Sequence, residues 1–213
     1  MPSQIRKKIA RNIRDYGLGL FIEKLVSKAA SPLYGSRSYH IYIVDLNKIS
    51  PKRPDSPSDI SIRFIGPEES ALIAQIEDME EWLHGEVADK LRRGQKCLAA
   101  LRGDQVAGFN LISFDVLNAP AVKLRKPLRA TECASEQITV RPEFRGQGLG
   151  SDLRNAFFLA MKEAGYRRIY GGTDITNTAN RALTNKVGFR IFAKARYMTI
   201  LGKKSLRISR ITR

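Results

Sequence analysis

The stretch ITVRPEFRGQGLGSDLRNAFF, residues 138 to 158, passes from a β-prone run through a turn rich in arginine and glycine into an amphipathic helix. Three glycines at alternate positions leave the backbone of this turn open to a ligand and permit positive φ angles. The first turn of the helix has unpaired N–H groups and a partial positive charge, to which Arg141 and Arg145 would add. The stretch therefore predicts a turn that binds an anion such as a phosphate.

Two common glycine-rich phosphate motifs do not fit the spacing of this turn. A P-loop needs Lys followed by Ser or Thr after its last glycine, and a dinucleotide-binding fingerprint needs G-x-G-x-x-G. The order here is G-x-G-x-G, followed by Ser and Asp. It resembles instead the acyl-coenzyme A signature V-x-P-x-x-R-x-x-G-x-G of the GNAT acetyltransferase superfamily. The matching residues are Val140, Pro142, Arg145, Gly148 and Gly150. The alternative interpretation is an ordinary strand-to-helix turn.

Length and composition indicate one domain with additional segments. The chain has 213 residues, 43% of them hydrophobic, which is enough for one core of ordinary size. Its net charge of +16 and its isoelectric point near 10.1 predict an anionic partner. Coenzyme A, an anionic membrane surface, a nucleic acid and an acidic carrier protein all fit this charge. A nucleic acid fits least well, because the basic residues are dispersed and no recognised binding motif occurs.

Cysteine and histidine usage favours a cytoplasmic protein without a metal site. Cys97 and Cys133 lie in apolar or small-residue contexts without C-x-x-C spacing, so we expect them to be reduced core residues. His40 and His84 do not form a ligand cluster, so no metal is expected. No apolar run approaches the roughly 20 residues needed to span a bilayer, and no cleavable signal is evident. The expected location is the cytoplasm, including the inner face of the membrane.

Residues 1–58 are expected to form a basic extension ahead of a catalytic domain at 59–202 and a basic, frayed tail at 203–213. Within residues 1–38, a basic cluster precedes an apolar stripe at helical spacing. The stripe consists of Leu18, Phe21, Ile22, Leu25, Val26 and Ala29. Such a helix can pack on the domain behind it, form a homodimer contact or lie on an anionic membrane surface. A proline-rich linker is expected at 47–59.

Apolar periodicity predicts a strand at 39–46 and a regular series of elements from residue 60 onward. Strands are expected at 60–65, 96–101, 106–114, 132–140, 168–173, 189–192 and 196–201. Helices are expected within 67–93, after the glycine-rich turn as far as Gly165, and at 178–186. Residues 115–130 are expected to be an irregular basic loop. This is the order of elements in the GNAT fold, and the resemblance implies an α/β (α+β) fold with a central mixed sheet of about seven strands and helices on both faces.

The resemblance implies acetyl-CoA, or another acyl-CoA, as co-substrate. In GNAT enzymes the strands here at 132–140 and 168–173 separate near their ends, and the pantetheine arm fills the gap. The residues expected to bind the co-substrate are Ile138, Thr139, Val140, Arg145, Gly146, Gln147, Gly148, Leu149, Gly150, Ser151 and Asn177. Gly171 and Gly172 in the facing strand predict either close approach of the acyl chain or acceptor, or a simple bend.

The implied reaction is attack by an acceptor amine on the thioester, which requires the amine to lose a proton. An amine with a pKa of about 10.4 is unprotonated in only about one molecule in 2,500 at pH 7, so a general base is expected. Glu136 is the first candidate, because in a regular strand it would share a face with Val140, and Glu132 is the second. The alternative for both is a surface or salt-bridged glutamate.

The general acid departs from the family pattern. The usual tyrosine, four residues before the glycine of the Val187-Gly188-Phe189 turn, is replaced by Thr184. Tyr197 and Tyr170 are candidate substitutes, although a thiol with a pKa of about 8.5 leaves readily without help.

Three functions remain open on sequence alone. The favoured one is transfer of an acetyl group from acetyl-CoA to a primary amine, on a small molecule or a protein. The second keeps the fold but uses a longer acyl chain, on coenzyme A or an acyl carrier protein, for a membrane or envelope precursor. The third is a non-catalytic module that binds coenzyme A.

Overall fold

The structure is a computed structural model that describes residues 34–55 and 57–211. The predicted amphipathic helix within residues 1–38 therefore lies almost entirely outside the described residues. The strands are β1 (Tyr34–Asp45), β2 (Ile60–Ile65), β3 (Lys96–Arg102), β4 (Gln105–Ser113), β5 (Val116–Ala119), β6 (Leu124–Pro127), β7 (Glu132–Val140), β8 (Arg168–Asp174), β9 (Arg190–Ile200) and β10 (Lys203–Arg210). The α-helices are α1 (Ser70–Met79), α2 (Val87–Arg92), α3 (Leu149–Glu163) and α4 (Thr178–Lys186).

Eight of these strands form one mixed sheet, in the order β10-β9-β1-β8-β7-β4-β3-β2. β7 and β8 are parallel neighbours, and the other pairs of the sheet are antiparallel. The parallel pair is joined by α3, as a strand–helix–strand crossover requires. The predicted mixed sheet with helices on both faces is confirmed, with one strand more than the seven expected.

Alternate residues of the strands enter separate cores on the two faces of the sheet. In β3, Leu98 and Ala100 pack with α3 on one face, whereas Cys97 and Ala99 pack with α1 and α2 on the other. The second face continues over β1 and β8, where the small hairpin of β5 and β6 covers it. Each face therefore has its own apolar cover, and the face with α1 and α2 also carries the β5–β6 hairpin.

β1 lies in the middle of the sheet, between β9 and β8, although the sequence analysis assigns it to an N-terminal extension. Its segment 41–44 is buried on both faces, as expected for a central strand. The proline-rich residues that follow do not separate two bodies. They cross α3, where the N–H of Lys52 donates to Asn155 and the N–H of Asp55 donates to Asp152. A domain boundary at residue 58 is therefore not reflected in the sheet.

Three other segments differ from the sequence expectation. Residues 115–130, expected to be irregular, contain the β5–β6 hairpin. The two short strands expected at 189–192 and 196–201 are one strand, β9, because Ala193 and Ala195 are buried on either side of an exposed Lys194 and the alternation is unbroken. The expected frayed tail contains β10, which follows a turn with positive φ at Leu201 and Gly202.

Candidate active site

β7 and β8 separate along their length. They are paired at four positions only, from Glu132 opposite Arg168 to Ser135 opposite Gly171. Beyond this point β7 remains paired with β4, and β8 remains paired with β1. The strands thus diverge into a gap bordered by residues 136–140 on one side and 172–174 on the other. We call this gap the split.

Main-chain polar groups of β7 point into the split. The N–H of Arg141 donates to the carbonyl of Ala107, at 2.9 Å, and therefore points toward β4. Because successive residues of a strand direct their N–H and C=O groups to opposite edges, those of Ile138 and Val140 point the other way. The split consequently presents the hydrogen-bonding edge of a strand, to which an extended amide-containing chain can pair.

The glycine-rich turn between β7 and α3 has the backbone that the sequence predicts. Gly146 and Gly148 have φ of +80° and +85°, in the left-handed region that favours glycine. A Cβ atom built at either position would meet no atom within 4 Å. The N–H groups of Gly148, Leu149 and Gly150 form no hydrogen bond with another described residue. The turn therefore opens the N-terminus of α3 toward an anion.

Gly150 and Arg141 differ from the expectation of the sequence, whereas the role expected of Arg145 stays a prediction. A Cβ atom on Gly150 would lie 3.2 Å from Leu183, so this glycine allows α3 and α4 to approach each other. The Nε of Arg145 donates to the carbonyl of Val140 at 2.9 Å. Arg141 points toward α1, where its guanidinium bonds the carbonyls of Val106 and Gln75, and so it does not reinforce the turn.

A β-bulge in β7 changes the position of Glu136. In the pairing with β4, Gln137 lies opposite Leu111 and Ser135 opposite Ile112, so Glu136 is an extra residue in its strand. Glu136 consequently lies on the α1–α2 face of the sheet, whereas Val140 packs in the core beside α3. The prediction that these two residues share a face is wrong, because the bulge interrupts the regular alternation of the strand.

The carboxylate of Glu136 is largely buried and paired. Its side chain is 9% exposed, and it accepts from Lys90 Nζ at 3.3 Å and from Gln95 Nε2 at 3.5 Å. Lys90 belongs to α2, so this ion pair fixes α2 to β7.

Glu80, which the sequence analysis does not single out, lies over the same part of β7. It occupies the extended connection between α1 and the 3-10 helix at 81–83. Its Oε1 accepts from Thr139 Oγ1 at 2.9 Å and from Gln137 Nε2 at 3.2 Å. Both donors are neutral, and their residues border the split. A carboxylate is thereby fixed beside the split on the α1–α2 face of the sheet.

Glu132 lies at the far end of β7 and belongs to an ion-pair cluster. It is 3% exposed and accepts from Lys126 Nζ at 3.0 Å and from Tyr170 Oη at 3.2 Å, with Arg168 3.7 Å away. Burial alone would raise its pKa, but the hydrogen bonds from Lys126, the Arg129 N–H and Tyr170, with the charge of Lys126, hold the pKa below its ordinary value. Such a group is well suited to a structural ion pair.

The tyrosines are distributed differently from the expectation. Tyr197 lies on β9, separated from β8 by β1, with Lys123 Nζ 5.7 Å from its ring centre. Tyr170 is buried and donates to Glu132. Tyr39 of β1, by contrast, extends over Gly172 at the edge of the split, where a Cβ atom would overlap its ring. Burial, with the nearby Asp174 carboxylate, raises the pKa of Tyr39 to about 12.

Two further residues lie at α4: Thr184 within the helix and Asn177 immediately before it. Thr184 is buried, and its hydroxyl is 3.4 Å from Asn180 Oδ1. Asn177 is the N-cap of α4, and its Oδ1 accepts from the N–H of Asn180 at 3.0 Å. This side chain therefore organises the start of α4 near the open end of the split. In residues 34–55 and 57–211, no cluster of three potential metal-ligating side chains occurs.

The family model described as "Acetyltransferase (GNAT) family" matches residues 63–189 of this chain. The chain belongs to this acetyltransferase family. Members of this family generally use acetyl-CoA as acyl donor. No curated protein sequence matches the chain significantly.

Solved structures support the fold at low sequence identity. A GCN5-related N-acetyltransferase from Sphaerobacter thermophilus has a TM-score of 0.59 and 18% identity, over 85% of this chain and 56% of that one. A tandem GNAT protein from the clavulanic acid biosynthesis pathway has a TM-score of 0.56 and 18% identity, over 79% and 55%. A glucosamine N-acetyltransferase region of a fungal β-N-acetylglucosaminidase has a TM-score of 0.59 and 15% identity, over 82% and 22%. The chain thus spans little more than half the length of the first two proteins.

None of the helices in the described residues has both the length and the apolar character needed to cross a bilayer.

Proposed function

We propose that the protein transfers an acetyl group from acetyl-CoA to a primary amine by direct attack of the amine on the thioester. The observation that carries this proposal is the split, which opens at one end onto the glycine-rich turn. The pantetheine arm lies along Ile138 to Val140, and the diphosphate lies at the N-terminus of α3. The thioester is then near the closed end of the split.

The acceptor amine approaches from the α1–α2 face. The opposite face at this point is covered by α3, which packs on β4 and β7. On the open face, residues 77–86 contain five carboxylates and no lysine or arginine, although the chain as a whole has a charge of +16. One of them, Glu77, accepts hydrogen bonds from the N–H groups of Gly85 and Val87. This negative edge favours an acceptor that arrives as an ammonium cation.

Glu80 receives the proton of the ammonium group. It lies beside the split, and its two hydrogen-bond donors among the described residues are neutral, whereas Glu136 is paired with Lys90. A positioned general base contributes typically about 10² to 10⁴ in rate. The neutral partners matter because they hold the carboxylate in place without compensating its charge.

Tyr39 supplies the hydroxyl group for the leaving thiolate. Its ring extends over Gly172 at the border of the split, and its raised pKa keeps the hydroxyl protonated across the physiological range. A phenol of this kind stabilises the thiolate by donating a hydrogen bond. Tyr39 thereby takes the role of the tyrosine that family members usually have at the position of Thr184. Tyr197 lies too far along the sheet to share this role.

The proposal is tested with a panel of primary amines, from polyamines to amino sugars, incubated with acetyl-CoA. Release of coenzyme A and a product heavier by one acetyl group, detected by mass spectrometry, are the expected results. Calorimetry with acetyl-CoA, longer acyl-CoAs and free coenzyme A ranks the donors. Absence of saturable binding by all of them would refute the assignment of the split.

The base is tested by comparing Glu80→Gln with Glu136→Gln. Glu80→Gln keeps an oxygen for Thr139 and Gln137, and we expect it to lower kcat/KM at neutral pH by about 10²-fold or more. The deficit in kcat/KM should shrink as the pH approaches the pKa of the acceptor amine, because the amine is then unprotonated without a base. If Glu80→Gln has the wild-type pH profile and Glu136→Gln does not, the role belongs to Glu136.

A further inference from the structure

A second cavity lies at the end of β7 and β8 that is opposite to the split. It has a volume of about 540 Å³, within the range of small-molecule sites. Six cationic side chains and two carboxylates line it. The cations are Lys48, Lys126, Arg129, Arg168, Arg190 and Arg210, and the carboxylates are Asp45 and Glu132. The cavity is therefore strongly positive.

Most of this positive charge is not neutralised by the protein. Glu132 is the acceptor for Lys126 and Arg168. The side chains of Arg129, Arg190 and Arg210 form no ion pair with another described residue. Arginine forks of this kind bind phosphate oxygens in pairs and retain their charge at every physiological pH. The excess charge therefore indicates an anionic ligand with several acceptor oxygens.

One side of the cavity carries apolar groups beside the charged ones. Tyr170 is 3% exposed, with Lys126 Nζ 4.1 Å from its ring centre and Phe192 packed edge to face at 5.7 Å. The accessible apolar surface is therefore that of Phe192 and Pro127. An inorganic anion would leave this surface uncovered, whereas a ligand with a flat organic body would cover it. The ligand thus combines an anionic group with a planar ring.

The cavity is separate from the glycine-rich turn. Glu132 and Val140, at the two ends of β7, are eight residue steps apart, a distance of roughly 26 Å. The β5–β6 hairpin packs on β7 and β8 between the cavity and the split, with Leu117 and Ala119 buried against Ala134. A ligand in the cavity therefore does not compete with one at the start of α3.

We propose that this cavity binds a phosphorylated small molecule that carries a planar ring, such as a nucleoside monophosphate. The phosphate lies among the arginines, and the ring lies against Phe192 and Pro127. This inference is independent of the acetyltransferase reaction, since it rests on the charge and shape of the cavity alone.

The test uses calorimetry of the full chain with three probes: uridine monophosphate, uridine and inorganic phosphate. The monophosphate is expected to bind at least tenfold more tightly than either of the other two. The double variant Arg129→Gln/Arg190→Gln should weaken its binding by about 10- to 100-fold. Neither arginine has an ion pair with another described residue to lose, so the fold should be retained.

The matched control is Lys203→Gln/Lys204→Gln, which removes the same charge from exposed positions of β10 outside the cavity lining. We expect wild-type affinity for the monophosphate in this control. Equal weakening in both double variants would show attraction to net charge only and would overturn the proposal. So would equal binding of uridine, or no saturable binding of the monophosphate by the wild-type chain at about 1 mM.

Discussion

The substitution Gly148→Asp tests whether the start of α3 binds the diphosphate of acetyl-CoA. Gly148 has φ of +85°, and a Cβ atom there would meet nothing within 4 Å, so an aspartate enters without a clash. It adds a negative charge where the ligand's negative charge is expected. Two unit charges at about 5 Å repel each other by about 0.8 kcal/mol in water and by about 3 kcal/mol at an effective dielectric constant of 20. We therefore expect the Kd of acetyl-CoA to rise by about 10- to 100-fold.

Gly165→Asp is the matched control, because Gly165 follows the other end of α3 with φ of +84° and equal open space. Each substitution places a non-glycine residue in the left-handed region, at a cost of about 1–2 kcal/mol. The helix dipole partly offsets this cost at residue 148 and adds to it at residue 165. Gly148→Asp should thus be more stable than Gly165→Asp and yet bind acetyl-CoA more weakly.

Calorimetry gives the Kd of acetyl-CoA, and denaturant titration gives the free energy of unfolding. Gly148→Ala, which has the backbone strain without the charge, separates the two effects. The difference between Gly148→Asp and Gly148→Ala should decrease as ionic strength rises, since salt screens charges at the surface. If Gly148→Asp binds acetyl-CoA within about threefold of Gly165→Asp, the diphosphate is not bound at this turn and the reasoning fails.

Three further predictions concern stability, measured by denaturant titration. Glu132→Gln should lower the free energy of unfolding by about 2 kcal/mol at pH 7. Because the folded-state pKa of Glu132 is lowered, its contribution to stability is complete above the unfolded-state pKa and is lost as the pH falls through the folded-state pKa. The stabilities of the variant and the wild type should therefore converge below pH of about 4, and a constant difference would contradict this. Gly172→Ala should cost about 1–3 kcal/mol because its Cβ would overlap the Tyr39 ring, whereas Gly171→Ala, with a contact of 3.8 Å, should be nearly neutral, and equal costs would disprove the packing argument. Arg154→Met should stabilise the protein by about 1–3 kcal/mol, since burial lowers the pKa of Arg154 to about 10 and its Nε and Nη1 lack hydrogen-bond partners; destabilisation would mean that this guanidinium has a partner that the described residues do not supply.

The glycine-rich turn at the start of α3 was predictable from the sequence, because it depends on main-chain conformation. Glycines that need positive φ and the first turn of a helix are encoded locally, so Gly146 and Gly148 could be assigned from their spacing. The separation of β7 and β8 followed from the family resemblance. No local pattern distinguishes Gly150, whose role is set by Leu183 from a different helix.

The side chains around the split were less predictable, because their positions depend on distant pairings. The bulge that turns Glu136 away from the Val140 face arises from the register with β4, and nothing in the sequence of β7 marks it. Glu80 and Tyr39 come from segments that a motif search does not reach. The one available signal for Glu80 was the run of carboxylates at 77–86 in an otherwise basic chain.

The position of β1 determines where the chain can be shortened. The residues that match the family model begin at 63, and a truncation at that point would appear to keep the whole enzyme. It would instead remove the strand that pairs with both β8 and β9, leaving two unpaired edges inside the sheet. Synthesis has a related consequence, because residues 34–45 emerge from the ribosome long before their partners at 168–200 exist. The first of the described strands to be made is thus one of the last to be paired, and the half of the sheet that carries Tyr39 closes only after residues 168–200 have been made.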